Sequence, residues 1–453
     1  MIYSINPTTE KIMKKFKPFS EKQVFNLIKE VNSASKKWSN LDIKERCHYF
    51  KKISETLKKN SKEYGEIITK EMGKPISQSI AEIEKCSLVC EYYAKNARKF
   101  LSDEIIKTDY KKSYVKFQPL GIILGIMPWN FPFWQVFRFA IPTLAAGNCV
   151  LIKHASNVPQ CALKIEEIFK ELPKNVFKNL LITSDMVKLI VENDLVDGVS
   201  LTGSVEAGKK IGELAGRSIK KIVLELGGND PFIVLKDADI NYTCDKGINS
   251  RFRNCGQSCI AAKRFIVHKD IKNEFKNKFI ELTQKLVVGD PMDEKTNIGP
   301  LARSDLRDNL ENQIKQIIKS GGKILIGGKR LEKSGYFFEP TLIEAKKNNK
   351  VVIKEEIFGP AANIIIAKND NELIEIANMT KFGLGASIWS RNLKKAEKIA
   401  NKIEAGNVFI NKMVSSDPRL PFGGIKNSGY GRELSHYGIK EFVNIKSIIV
   451  NKS

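Results

Sequence analysis

The sequence predicts an α/β protein with two doubly wound α/β domains and a small projecting sheet. Three observations lead there. Short apolar runs such as Gly121-Ile122-Ile123-Leu124-Gly125-Ile126-Met127 and Cys149-Val150-Leu151-Ile152 read as strands buried on both faces. Segments with apolar residues at helical spacing alternate with these runs, as the crossovers of a parallel sheet require. Two further stretches, Tyr110 to Gln118 and Glu441 to Val450, read as strands outside both alternating series and are expected to pair as a sheet of their own. At 453 residues the chain also exceeds what one hydrophobic core serves.

The first hundred residues read as helices. Ser20 is placed to cap a helix on which Val24, Leu27, Ile28 and Val31 line one face. A second helix is expected from Ile43 to Lys59 and a third from Ile76 through Phe100. After the strand ending at Met127 a helix runs to about Ala146. After the strand at Cys149 to Lys153, Ser156 or Asn157 is expected to open a helix whose inner face carries Val158, Ala162, Ile165 and Phe169. Strands follow at Asn179 to Ile182 and Gly198 to Thr202, a helix starts after Ser204, and Lys221 to Leu226 closes the first series. The second series begins at Pro231-Phe232-Ile233-Val234-Leu235 and extends to about Asn411. Its strands are expected at Arg264 to Val267, Asn363 to Ala367 and Ala386 to Trp389, and its helices near Asn273 to Leu286, Arg303 to Ser320 and Leu393 to Ile403.

Composition narrows the function classes. The formal net charge is +24, yet the lysines are scattered along the chain, as in Lys14-Lys15, Lys58-Lys59 and Lys346-Lys347. That is a solvated surface rather than a nucleic-acid footprint, although a basic nucleic-acid-binding protein remains the non-enzyme alternative. Eight irregularly spaced cysteines make no disulfide framework, and four histidines away from any Cys pair make no metal site. Cys86 and Cys90 read as small hydrophobes on a helix face. The start lacks the apolar stretch of a signal peptide, and the uncharged segment 117–137 is broken by Pro119, Pro128 and Pro132. A soluble cytoplasmic protein with no membrane partner is expected.

The chemistry-bearing segments fall at strand ends and in one loop. Leu201-Thr202-Gly203-Ser204 follows a strand and opens a helix, whose free N–H groups suit a pyrophosphate. It lacks the G-x-G-x-x-G spacing, so alone it is equally a plain turn. Arg253-Asn254-Cys255-Gly256-Gln257-Ser258-Cys259 puts a thiol in a loop, where a thiolate is free to attack a carbonyl; alone, a buried structural cysteine is the commoner case. Glu225-Leu226-Gly227-Gly228 puts a carboxylate at the end of an apolar strand, where burial raises its pKa toward the general-base range, although a lone strand-end Glu more often joins an ion pair. Pro128-Trp129-Asn130-Phe131-Pro132 fixes an amide between two prolines, as an oxyanion donor or as a turn-capping residue.

Together these segments resemble the aldehyde dehydrogenase superfamily over nearly the whole chain. The likeness runs from Asn6-Pro7 through Glu71-Met72-Gly73-Lys74-Pro75 to Pro421-Phe422-Gly423-Gly424-Ile425-Lys426-Asn427-Ser428-Gly429. The resemblance implies that Cys259 is the nucleophile and Glu225 the general base, with Asn130 and the Cys259 N–H as the oxyanion hole. It implies that Lys153 holds the adenosine ribose of NAD or NADP, Gly203 and Ser204 the pyrophosphate, and Glu356 and Phe358 the nicotinamide end. It also implies a cofactor-binding domain from 1–107 and 122–227, a catalytic domain from 228–424, and an oligomerisation arm and tail from 108–121 and 425–453. A homodimer or homotetramer is expected on the same ground. A CoA-acylating relative shares the nucleophile but needs no water-activating base, so Glu225 speaks against it.

Two departures and two arginines refine the expectation. The family's Lys-Pro-x-Glu segment reads Lys153-His154-Ala155-Ser156, and Ser156 donates a hydrogen bond where a Glu would repel a 2′-phosphate. Use of NADP as well as NAD is therefore expected. Leu201 stands where the family commonly has Phe. Arg138 and Arg253, with Ser416 less specifically, resemble positions with which succinate-semialdehyde dehydrogenases hold a distal carboxylate, so the expected reaction is succinate semialdehyde to succinate. Another small or uncharged aldehyde is the alternative, with each arginine paired to a structural acid. A disulfide between Cys255 and Cys259 under oxidation is a further expectation from their spacing.

Overall fold

A computed structural model describes residues 1–451. Two predominantly parallel sheets form its frame. The first has the strand order Gly429–Tyr430, Lys221–Glu225, Gly198–Thr202, Ile122–Met127, Cys149–His154, Phe177–Asn179, all parallel except the first. Chain order reverses between Ile122–Met127 and Gly198–Thr202, which opens a crevice beyond their carboxyl ends. The second sheet runs Lys323–Ile326, Thr341–Glu344, Ala361–Ala367, Arg264–His268, Pro231–Val234, Gly385–Trp389, Asn407–Ile410, with one antiparallel pair at the Lys323–Ile326 edge. Each sheet has its own hydrophobic core. The arm is a three-stranded antiparallel sheet of Val443–Val450, Lys112–Pro119 and Glu104–Ile106. No described helix is long and apolar enough to cross a membrane.

The N-terminal helices form where the periodicity placed them. Helix Glu21–Asn40 is closed by a capping box, Ser20 accepting from the Gln23 N–H and Gln23 reaching back to the Ser20 N–H, and it buries Val24, Ile28 and Val31. Helices Ile43–Lys59 and Ile76–Phe100 follow. A further helix, Ser61–Met72, was not anticipated. Gly65 weakens its local helix signal, but Gly65 is where the backbone approaches Ile80 of the next helix: an added Cβ would lie 2.9 Å from that side chain. The opening hairpin Ile2–Ile5 and Ile12–Phe16 also escaped notice, its strands being short and its second strand largely exposed.

Three expectations are corrected. The strand expected at 179–182 is Phe177–Asn179, because only that stretch pairs with Cys149–His154. Neither Ser156 nor Asn157 caps the next helix, Pro159–Ile168, whose N-cap is Val158 with no side-chain bond. A carboxylate from elsewhere does that work: Glu71 accepts from the Gln160 and Cys161 N–H groups at 2.9 and 2.8 Å. Helix Pro132–Ala145 likewise lacks a local cap, and Glu82 accepts from Phe133 and Trp134 at 2.9 and 3.0 Å. Residues 425–430, expected with the arm, instead pair inward. Ile425–Lys426 joins Phe382–Gly383, and Gly429–Tyr430 lies against Leu224 and Glu225. Gly429 allows this because it takes a φ of 111° and sits directly on the Leu224 carbonyl, where a side chain would clash.

Candidate active site

The site lies where the carboxyl ends of the first sheet meet a loop at the amino end of Arg264–His268. Helix Ile240–Phe252 gives way there to three consecutive left-handed residues, Asn254, Cys255 and Gly256, at φ of 53°, 55° and 70°. Two of them carry side chains, so the turn persists only because its surroundings over-determine it. The Asn254 N–H donates to Gln78 Oε1 at 2.7 Å, and Asn254 Nδ2 to the Asn130 carbonyl at 2.8 Å. Gln257 accepts from the Ala302 N–H at 3.0 Å. Beyond it, the fully buried Lys263 donates to the carbonyls of Ser258 and Cys259 at 2.8 and 2.5 Å. Gly228 passes so close that an added Cβ would lie 2.5 Å from the Cys259 carbonyl. Cys259 is thus held rigidly by groups from both sheets.

Cys259 is the one partly exposed cysteine of the eight; the other seven are buried. Burial pushes its thiol up to about 12, while Lys263 and Arg138 pull the other way. Cys255 is inside the second sheet's core, whereas Cys259 packs against the first sheet's core. No disulfide joins them: both are free thiols. Glu225 ends strand Lys221–Glu225 at 2% exposure, with Oε1 unpaired. Burial, then the neighbouring Glu433, raises its pKa well above the carboxylate range, with Arg138 opposing. Asn130 Nδ2 donates to the Gln257 carbonyl at 3.0 Å, which uses one amide hydrogen and leaves the second free.

Two cavities meet at this thiol. One, of ≈ 290 Å³, is lined by Asn130, Gly203, Ser204, Glu225, Glu356 and Phe358 together with Cys259. It contains most of the expected cofactor residues. Ser204 caps helix Val205–Arg217, accepting from Ala207 at 3.2 Å. A Cβ added at Gly203 would meet only Leu201 and Ala207, at ordinary contact distances, so the turn's outer face is open to a ligand. Phe358 stacks edge-on against Trp129 at 5.8 Å. Glu356 faces inward, 3.2 Å from Lys263 and accepting from the Gly228 N–H at 3.1 Å. Lys153 lies beside Ile126 at the end of Cys149–His154, buried and with its pKa lowered by burial. Ser156 is exposed beyond that strand and lines a different crevice, with Ile2 and Leu181.

The other cavity, of ≈ 70 Å³, is lined by Arg138, Arg253, Ser416 and Cys259, with Phe131, Trp134 and Phe422 as apolar walls. Arg253 is exposed here. Arg138 is 2% exposed and committed elsewhere: it ion-pairs with Glu433, donates to Thr202 Oγ1 at 3.4 Å and lies over Phe422. Of the two arginines, Arg138 is the one paired with a structural acid. Ser416 accepts from Lys85 Nζ at 2.7 Å.

Several residues here were not singled out from the sequence. Lys263 lies beside the apolar stretch Phe265-Ile266-Val267, where a charge signals a buried partner, whereas Arg251 stands among Asn249, Ser250, Arg253 and Asn254 and carries no such signal. Arg251 donates to the Ala262, Ile357 and Gly359 carbonyls and so fixes the loop carrying Phe358. Lys85 gave no such signal, since it sits among other polar residues of its helix.

Comparison with known proteins agrees with this arrangement. Residues 1–448 match the aldehyde dehydrogenase family. A probable NADP-dependent succinate-semialdehyde dehydrogenase of Synechocystis is 45% identical over 449 residues, 99% of each chain. The Mycobacterium bovis NADP-dependent succinate-semialdehyde dehydrogenase 1 is 42% identical over 452 residues, again 99% of each. The crystal structure of succinic semialdehyde dehydrogenase from Streptococcus pyogenes with NADP+ superposes with a TM-score of 0.98 at 36% identity, covering 100% of both chains. A partly exposed thiol between two cavities, a buried carboxylate beside it and a match along almost the full length lead to one conclusion: the chain belongs to the aldehyde dehydrogenase family.

Proposed function

We propose that this protein oxidises succinate semialdehyde to succinate with NADP or NAD through a thioester on Cys259. The observation that carries the reading is the meeting of two cavities at one thiol, one lined by the dinucleotide-type turn and the other by cations. The Cys259 thiolate attacks the aldehyde carbon, and the free hydrogen of the Asn130 amide and the Cys259 N–H meet the developing oxyanion. The cofactor, when bound, accepts the hydride that leaves this carbon. Glu225 then takes a proton from the water that attacks the thioester, which releases the acid and restores the cysteine.

Lys153, Gly203, Ser204, Glu356 and Phe358 are the groups proposed to hold the cofactor, with Ser156 beside the adenosine end. For Glu356 to reach a ribose, its carboxylate has to exchange Lys263 and Gly228 for the sugar hydroxyls. The first sheet with the N-terminal helices makes the cofactor-binding domain in this reading, residues 228–424 the catalytic one, and the arm an oligomerisation element for a homodimer or homotetramer in the cytoplasm.

The test is reduction of NADP and NAD with succinate semialdehyde and with butanal. A higher kcat/KM for the semialdehyde, with NADP accepted, is expected. Arg253→Ala should raise KM for the semialdehyde by about 10- to 100-fold, the worth of one charge-assisted hydrogen bond. Equal use of the two aldehydes would count against the carboxylate reading, and strict NAD specificity against the role of Ser156.

A further inference from the structure

A buried charge stands behind the nucleophile and has no part in the steps proposed for Cys259. Lys263 is fully buried and immediately precedes strand Arg264–His268. Its ammonium group has three N–H donors, and all three find partners. The Ser258 and Cys259 carbonyls accept at 2.8 and 2.5 Å, and Glu356 Oε1 lies 3.2 Å away as the third. Among the described residues, Glu356 is the only acid at ion-pair distance from Lys263. Glu356 itself occupies a shaped seat. The Gly228 N–H donates to Oε1 at 3.1 Å, and a Cβ on Gly227 would run into Oε2. One cation thus ties the peptide of the nucleophile to a carboxylate that the cofactor is proposed to need.

We infer that Lys263 is a positioning residue that acts as a latch, holding Glu356 off the cofactor ribose in the free protein; when Glu356 turns to the ribose, Lys263 keeps its hold on the Cys259 peptide and Asp230 becomes its counter-ion. The inference rests on the proposed reading of Glu356 as a cofactor ligand and adds an internal competitor to it. The Lys263–Glu356 pair stabilises only the free protein, so it subtracts from cofactor affinity. The carbonyl bonds persist in both states and fix the thiol without affecting that affinity. Asp230 is close at hand, since its own carbonyl accepts the Lys263 N–H at 3.0 Å. Its side chain is 2% exposed, with Oδ2 unpartnered and Oδ1 accepting from the Gly385 N–H at 3.1 Å. Burial pushes its carboxyl up to about 7; Lys263 is the strongest opposing charge and Arg264 a weaker one, while Glu356 acts with burial. Glu404, across a small crevice from Asp230, is exposed and paired with Lys426. Departure of Glu356 therefore favours ionisation of Asp230, and cofactor binding near pH 7 should release a proton.

Lys263→Met and Glu356→Gln test the exchange, with NADP and NAD dissociation constants read from intrinsic fluorescence. In Lys263→Met the constant should fall about 10-fold, the effect of removing one charge-assisted competitor, while kcat with succinate semialdehyde also falls. In Glu356→Gln the constant should rise, and adding Lys263→Met to that variant should change it no further. A lysine that only supports the fold predicts weaker binding and slower turnover together. Unchanged or weaker binding in a folded Lys263→Met protein overturns the latch. Calorimetry of NAD binding in buffers of different ionisation enthalpy reads the proton; NAD is the probe because the 2′-phosphate of NADP, a phosphate monoester, itself titrates near neutral pH. Release is expected from the parent and not from Asp230→Asn. If Lys263→Met does not fold, absence of release from the parent overturns the latch instead. A Glu356→Gln protein that binds both cofactors as the parent does removes the ligand reading and the latch with it, and this outcome is told apart because Lys263 is untouched there.

Discussion

At the scale of single residues, the site depends on charges kept where water cannot screen them. Glu225 shows this most directly. Its raised pKa means that the folded protein binds that proton more tightly than the unfolded chain does. Ionising the group therefore opposes folding, and stability falls as pH climbs from the ordinary carboxylate range toward the raised value. Glu225→Gln removes this pH-dependent penalty along with the proposed base. The melting temperature of the variant relative to the parent should thus rise steadily between pH 5 and pH 8, while steady-state turnover collapses. A difference in Tm that is flat with pH would show that Glu225 is ionised in the folded protein. Glu225 and Cys259 were both legible in the sequence as chemistry-bearing positions, since each sits at a strand end or in a loop. The commitment of Arg138 to Glu433 was not, because 295 positions of chain separate the two and no local pattern links them.

At the scale of elements, the proposed oxyanion donor is positioned by a capping bond made across the chain. Helix Pro132–Ala145 begins two residues after Asn130, and its first N–H groups are satisfied by Glu82, which also pairs with the fully buried Lys74. Lys74 in turn lies 3.8 Å from the centre of the Phe131 ring. Loss of one partner of such a buried pair costs about 3–5 kcal/mol, because the other charge is left without compensation. Glu82→Gln is expected to lower stability by roughly that amount, and the double variant Lys74→Met/Glu82→Gln should recover part of it. Chemical denaturation of the three proteins measures this; additive losses would mean that the two groups are not coupled. Strands and long helices could be read from periodicity alone, whereas these caps could not. Proline stands at the first position of both helices, Pro132–Ala145 and Pro159–Ile168, but nothing local says which distant carboxylate serves them.

For the whole molecule, the arm is the element that the body of the protein leaves least covered. Ile105, Ile445 and Ile449 are 69, 60 and 57% exposed on a three-stranded sheet. Ile445 and Ile449 share one face of Val443–Val450, and exposed apolar side chains grouped in this way mark an interaction surface. A second copy of this chain is the partner proposed for it. Ile445→Asp/Ile449→Asp should shift the mass in light scattering toward the monomer at micromolar concentration; an unchanged mass would exclude the arm as the contact.

The sequence by itself determined the α/β class, most of the long helices and buried strands, and the arm, and through a family resemblance it singled out Cys259, Glu225 and Asn130 as the expected nucleophile, base and amide donor. The elements are local matters, set by side-chain periodicity. Tertiary structure alone decided that residues 425–430 close against Glu225, that Cys255 and Cys259 pack in different cores, and that Arg138, while lining the substrate-side cavity, also pairs with Glu433. Each of these depends on which distant groups share a low-dielectric space. Pairing between charges there is settled by proximity in the fold, which spacing along the chain does not encode.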